Sequence, residues 1–152
     1  MGAESGFFIV DDAELAEKLE LLGAGVEEEG GRKLPLIEAA YFQEKGVLET
    51  GKSIRELVEG KEREFEVLKH LRDSGRIVRI GEGDSEFLRV YRKGMRIGED
   101  RTEGIVRVLG EGEKPDLLAD IAVAGKMRKE LTYAFVGGDG ITFVKAYRVS
   151  FE

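Results

Sequence analysis

Apolar positions along the chain follow two periods, and the change falls near the middle: helical spacing dominates up to Asp73, strand alternation after Gly75. Phe7–Val10 reads as a short strand. Asp11 or Asp12 then caps a helix whose apolar face is Leu15, Leu19 and Leu22, and Gly23 and Gly25 end it. Residues 26–33 hold three consecutive glutamates and a Gly-Gly pair, a solvated charge run in an exposed turn or hairpin. Pro35 suits the first turn of a helix over 36–45, with Ile37, Ala40 and Tyr41 on one face and Gly46 as its stop. Ser53 and Glu56 have capping-box spacing and open a helix of Ile54, Leu57 and Val58. Gly60 weakens that helix, and 61–73 resumes with Phe65, Leu68 and Leu71 in one stripe.

Residues 76–80, 87–92 and 105–109 alternate between glycine-rich turns, as strands do. Pro115 starts a helix carrying Leu117, Leu118, Ile121, Ala124 and Met127. Residues 131–136 and 141–151 then form a hairpin across Gly137-Gly138-Asp139-Gly140. This order predicts an α+β protein: a small N-terminal α/β domain over 1–60, then a domain over 61–152 with a mixed sheet flanked by helices. Gly81-Glu82-Gly83 precedes a strand rather than a helix, which argues against a dinucleotide or phosphate loop.

Composition narrows the chemistry. With 41% hydrophobic and 36% charged residues among 152, the chain is globular. Its apolar runs fall far short of the roughly 20 residues that span a bilayer, and no basic segment precedes the Phe7–Val10 run, so a cytoplasmic protein is expected. There is no cysteine and a single histidine, His70, which excludes disulfides, thiolate metal sites and a His–His acid/base pair; no cofactor or metal is expected. His70 lies off its helix's apolar stripe and reads as a surface residue. Asn and Trp are absent and Gln43 is the sole glutamine, a pattern of hyperthermophile proteins.

Charge is unevenly placed. Residues 1–60 carry 6 basic and 14 acidic side chains, a net of −8, whereas 61–152 carry 18 and 17, a net of +1. The charge balance thus changes near Gly60, where the domain boundary is expected. A stand-alone nucleic-acid binder shows a basic footprint. The acidic first segment either leaves nucleic acid alone or meets a basic protein partner.

Three stretches carry a resemblance. Leu71-Arg72-Asp73-Ser74-Gly75-Arg76-Ile77-Val78-Arg79, followed by Phe87-Leu88-Arg89-Val90-Tyr91-Arg92-Lys93-Gly94, resembles the entry to the C-terminal domain of archaeal tRNA-splicing endonucleases. Residues 121–131, with Met127-Arg128-Lys129, are similar to that family's helix ending in a V-R-K signature. Residues 36–46 are similar to its E-A-x-Y-L-x-E-K-G helix. The resemblance implies a nuclease-like C-terminal domain and metal-free RNA cleavage by a tyrosine, a histidine and a lysine. The tyrosine helps deprotonate the 2′-hydroxyl, the histidine protonates the leaving 5′-oxygen, and the lysine stabilises the phosphorane.

Residue by residue, the resemblance assigns the tyrosine to Tyr91 and the lysine to Lys129. The histidine place falls on Arg101, and no histidine occurs after Tyr91. Arginine stays protonated near neutral pH and is a poor general acid. The resemblance therefore points to the family's structural subunit, which pairs with a catalytic endonuclease subunit in an α2β2 heterotetramer and meets pre-tRNA through that complex. Ile141 to Phe151 suits the family's strand-mediated dimerisation. Asp139 suits an acidic loop that docks in a partner's basic pocket. Other readings stay open: Tyr91 as a boundary aromatic, Lys126, Arg128 and Lys129 as a solvated cluster, Arg101 as a turn residue, Asp139 as an ordinary hairpin residue. At the level of function, a self-sufficient endonuclease with an altered triad and an acidic adaptor sharing only the fold also stay open.

Overall fold

The structure is a computed structural model that describes residues 2–4, 6–80, 87–92 and 104–151. The chain divides into two compact units, Met1–Asp73 and Ser74–Glu152.

In the first unit, strands β1 (Gly2–Glu4), β2 (Phe7–Val10), β3 (Val26–Glu28) and β4 (Gly31–Pro35) form an antiparallel sheet in the order β1-β2-β4-β3. The acidic run 26–33 is thus a hairpin, with Val26 opposite Lys33 and Glu28 opposite Gly31. Gly31 is required there: its φ is 145°, and a β-carbon would collide with the Val10 carbonyl on the neighbouring strand. Helix α1 (Ala13–Leu21) starts on Asp12, whose side chain accepts from the Leu15 N–H at 3.0 Å.

Helix α2 (Leu36–Glu44) is buried over Ile37–Phe42 rather than on one face alone. The short α3 (Ile54–Val58) has its capping box formed by Ser53 and Glu56. Helix α4 (Glu62–Asp73) buries Phe65, Val67, Leu68 and Leu71. Its polar end is tied to α2: the Tyr41 hydroxyl donates to Asp73 at 2.7 Å, and Lys45 pairs with the same carboxylate at 2.9 Å. Arg72 donates to the carbonyls of Leu22 and Gly23 at 2.7 and 3.0 Å. Residues 62–73, expected at the head of the second domain, therefore pack within the first compact unit, because their apolar stripe and both of these polar ties face partners there.

In the second unit, β5 (Val78–Ile80), β6 (Leu88–Val90), β7 (Gly104–Gly110), β8 (Glu130–Gly137) and β9 (Gly140–Ala146) form one sheet in chain order. Every neighbouring pair is antiparallel except β7 with β8. A parallel pair needs a crossover, and helix α5 (Leu117–Met127) supplies it. The fold is α+β with a mixed sheet, as the order of periods predicts. Phe87, Ile105, Leu131 and Tyr133 of one sheet face pack with Ala124, Ile121 and Met127 of α5. The last strand ends at Ala146, not Phe151: Ala146 pairs with Leu131 near the start of β8, so the ladder has run out. Tyr147, Val149 and Phe151 are exposed beyond it.

Candidate functional site

The register sets one end of the sheet. Val90 of β6 stands opposite Gly104 of β7, and Gly104 opposite Glu130 of β8. Tyr91 is one residue past that rung and Lys129 one residue before it, so both lie at the same end of the sheet. Two strand spacings put their backbones about 10 Å apart. Tyr91 is half-buried and held to β5's lead-in by its N–H, which donates to the Ile77 carbonyl at 2.9 Å. Arg101 lies outside the described residues, as do Gly81, Glu82 and Gly83.

Lys129 owes its place to a backbone turn. Arg128 caps α5 in the left-handed region, at φ 56° and ψ 45°, and is the one non-glycine residue with positive φ among the described residues. The Lys129 N–H donates to the Ala124 carbonyl at 3.0 Å and the Arg128 N–H to Gly125 at 3.2 Å, closing the helix end. Glycine normally fills such a cap, since a side chain there costs about 1–2 kcal/mol. Lys129 is half-buried; Lys126 and Arg128 are exposed.

A buried polar cluster fixes α5 on the sheet. Asp120 is 4% exposed, and Arg107 of β7 holds it through two hydrogen bonds of 3.0 and 2.9 Å. The Tyr133 hydroxyl of β8 donates to the same carboxylate at 2.8 Å. Burial, and then Asp120, push the Tyr133 phenol well above its ordinary value. The Arg107 guanidinium also lies over the Phe87 ring, 4.4 Å from its centre. One acid thus joins helix to both strands of the parallel pair. Sequence reasoning passed over these residues, although two signals existed: an acid one turn before Ala124 in an apolar helix, and an arginine inside the Ile105–Val108 run.

Asp139 is exposed in the two-residue turn between β8 and β9, where Gly137 faces Gly140. His70 is exposed on α4, in the other compact unit. Among the described residues no three acidic or imidazole side chains gather closely enough to hold a metal ion, and no helix is long and apolar enough to cross a membrane.

Comparison with known proteins gives the class. Residues 61–143 match the model of the tRNA intron endonuclease catalytic C-terminal domain. The tRNA-splicing endonuclease of Thermococcus kodakarensis is 35% identical over 139 residues, 81% of each chain. That of Thermococcus gammatolerans is 34% identical over the same length, and that of Pyrococcus furiosus is 33% identical over 153 residues, 90% of this chain and 88% of its own. The chain belongs to the tRNA intron endonuclease family. The family match begins at Lys61, whereas the compact units divide after Asp73.

Proposed function

We propose that this chain is a structural, non-catalytic subunit of a cytoplasmic tRNA-splicing endonuclease, acting with a catalytic subunit in an α2β2 heterotetramer that excises introns from pre-tRNA. One observation carries the reading: the chain has no histidine from Tyr91 to its last residue, and its single histidine is on α4. Cleavage by 2′-hydroxyl attack leaves a 2′,3′-cyclic phosphate and needs a proton on the departing 5′-oxygen. Tyr91 and Lys129 fit the base and the phosphorane-stabilising roles, at one end of the sheet. The acid's place falls on Arg101, whose guanidinium keeps its protons. Loss of a general acid costs about 10²–10⁴ in rate.

Membership in an endonuclease family, together with Tyr91 and Lys129 at a shared sheet end, favours a second reading: a self-sufficient enzyme with an altered triad. Co-purification with a catalytic paralogue, followed by cleavage of a bulge–helix–bulge pre-tRNA by each chain alone and by both, separates the two. The structural reading expects cyclic-phosphate product only from the pair or from the paralogue. Multiple turnover by this chain alone overturns it, and weak cleavage enhanced by Arg101→His identifies a decayed active site.

A further inference from the structure

Helix α1 and the link after it leave apolar side chains in water that the rest of their unit does not. Among the described residues of Met1–Asp73, the large hydrophobic side chains left exposed are Leu21, Leu22 and Val26, and Leu21 is 79% exposed. All three fall within six residues of sequence. Single exposed leucines are ordinary, whereas a group of them marks a surface that meets a partner. Beside Leu21 lies an open depression of about 490 Å³, lined also by Asp12, Glu14, Leu15, Glu17 and Lys18. Helical spacing explains it: Glu14, Glu17 and Leu21 stand at i, i+3 and i+7, so one face carries two carboxylates and the leucine.

The charge around this face is one-sided. Residues 11–30 carry one basic and eight acidic side chains, a net of −7, and the other 132 residues carry 23 of each sign. The chain's whole excess of negative charge thus lies on α1, its cap, and β3 with its turn. Glu14, Glu17 and Glu20 are exposed and form no ion pair among the described residues. Glu20 stands in the last turn of α1, where the helix dipole disfavours a negative charge. Glu14 with Glu17, and Glu17 with Glu20, are like charges three residues apart, which also disfavours the helix. Local stability does not account for this placement.

Charge selects the occupant. RNA and an anionic lipid surface are repelled, and a second copy of this chain bringing the same face meets its own sign. A protein segment rich in Lys and Arg is attracted, and apolar side chains among those cations find Leu15 and Leu21 in the depression. We propose that the outer face of α1 docks a basic amphipathic segment of another protein, with Leu21 as the apolar anchor and Glu14, Glu17 and Glu20 as the charged rim. The surface belongs to the first compact unit, whereas Tyr91, Lys129 and Asp139 belong to the second, so it does not rest on the structural-subunit reading.

The test titrates the full chain, by fluorescence anisotropy, with a labelled synthetic helical peptide that sets leucines at i, i+3 and i+7 among lysines and arginines. A peptide of the same composition in scrambled order is the control. Charge alone attracts any basic peptide, so each measure is a difference between variants. Leu21→Ser is expected to weaken binding of the amphipathic peptide at least about tenfold and to leave the scrambled one unchanged. Leu118→Ser alters a leucine that is 73% exposed in the other unit, and should change neither. Glu17→Lys combined with Glu20→Lys should weaken binding at low salt at least about tenfold more than Glu49→Lys combined with Glu66→Lys, which reverses equal charge elsewhere on the same unit. All these side chains are exposed, and an unchanged thermal midpoint establishes that each variant is folded.

Equal affinity of Leu21→Ser and the unaltered chain for the amphipathic peptide overturns the docking surface. So does equal binding of the amphipathic and scrambled peptides, or an equal loss from the two charge-reversed pairs. Binding of a pre-tRNA fragment or of anionic phospholipid vesicles that Leu21→Ser abolishes overturns it too, because the occupant is then not a basic protein.

Discussion

Asp120 shows how much can rest on one side chain. Its carboxylate is shared by Arg107 and Tyr133, and removing it takes two hydrogen bonds from the Arg107 guanidinium and one from the Tyr133 hydroxyl. Breaking a buried pair from one side costs about 3–5 kcal/mol, whereas replacing the pair with apolar residues costs far less. Asp120→Ala should therefore lower unfolding stability by that amount in urea titration, and Asp120→Leu combined with Arg107→Met should recover a large part. If the double replacement is no more stable than Asp120→Ala alone, the carboxylate is not the keystone. The sequence conceals this cluster because a lone acid in a helix and a lone arginine in a strand both read as solvent-facing. Only the register of β7 against β8 shows that the two residues and Tyr133 converge. Tyr91 and Lys129 are candidates for another reason: they sit in short motifs that resemble the family's, whereas their common sheet end follows from strand pairing that sequence spacing does not disclose.

At the scale of elements, most of the helices were readable because caps and apolar stripes are local. Ser53 with Glu56, and Asp12 before α1, are examples. Strand β1 was not readable: Gly2-Ala3-Glu4 has no alternation, and only pairing with β2 makes it a strand. The clasp between α2 and α4 gives a pH prediction. Lys45, then Tyr41, hold the Asp73 carboxyl below its ordinary value, so the unfolded chain binds that proton more readily. Its stabilisation is complete above the ordinary carboxylate range, near 3.8, and disappears as pH falls through the lower folded value. Tyr41 behaves in the opposite sense. Burial, then Asp73, push its phenol from 10.0 up to about 12, so its contribution holds below pH 10 and is lost as pH rises through about 12. Thermal midpoints should fall less steeply below pH 4 in Asp73→Asn, and less steeply above pH 10 in Tyr41→Phe. Slopes equal to those of the unaltered chain count against the clasp.

The β8–β9 turn supplies a second prediction at this scale. Asp139 is exposed at its tip, so its own unit should tolerate substitution. If it docks in a basic pocket of the partner, Asp139→Ala should weaken assembly by about 2–5 kcal/mol, and Asp139→Lys by more, because like charges then meet. Light scattering at fixed concentration reads assembly, and the thermal midpoint of the isolated chain is expected to stay put. Normal assembly by both variants removes the docking role.

For the whole molecule, the proposed structural role turns on the rate that a missing general-acid histidine removes. On the proposed structural role, Tyr91→Phe and Lys129→Ala in a complex with the catalytic paralogue should change the cleavage rate by less than about threefold, since members of a triad act as a unit and the proposal leaves this one without its acid. A hundredfold loss with assembly intact would place chemistry on this chain after all. Single-turnover cleavage of pre-tRNA under saturating protein separates that result from a binding defect. Charge bears on the same scale: the net of −8 over residues 1–60 suits a basic protein partner better than RNA.

The single parallel joint in the second unit also sets an order of events in time. Hairpin β8–β9 closes across two residues, a step of microseconds, whereas Gly104 must wait for Glu130 to return through the whole crossover. Loop closure is needed before that pairing brings any gain. During refolding, amides of β9 facing β8 should accordingly gain protection from exchange before those joining β7 to β8. Asp120, Arg107 and Tyr133 would then meet only at the end, as a latch on the finished joint. A latch of that kind chiefly governs how fast the unit opens, so Asp120→Ala is expected to speed unfolding far more than it slows refolding, and the two arms of a denaturant chevron read the difference.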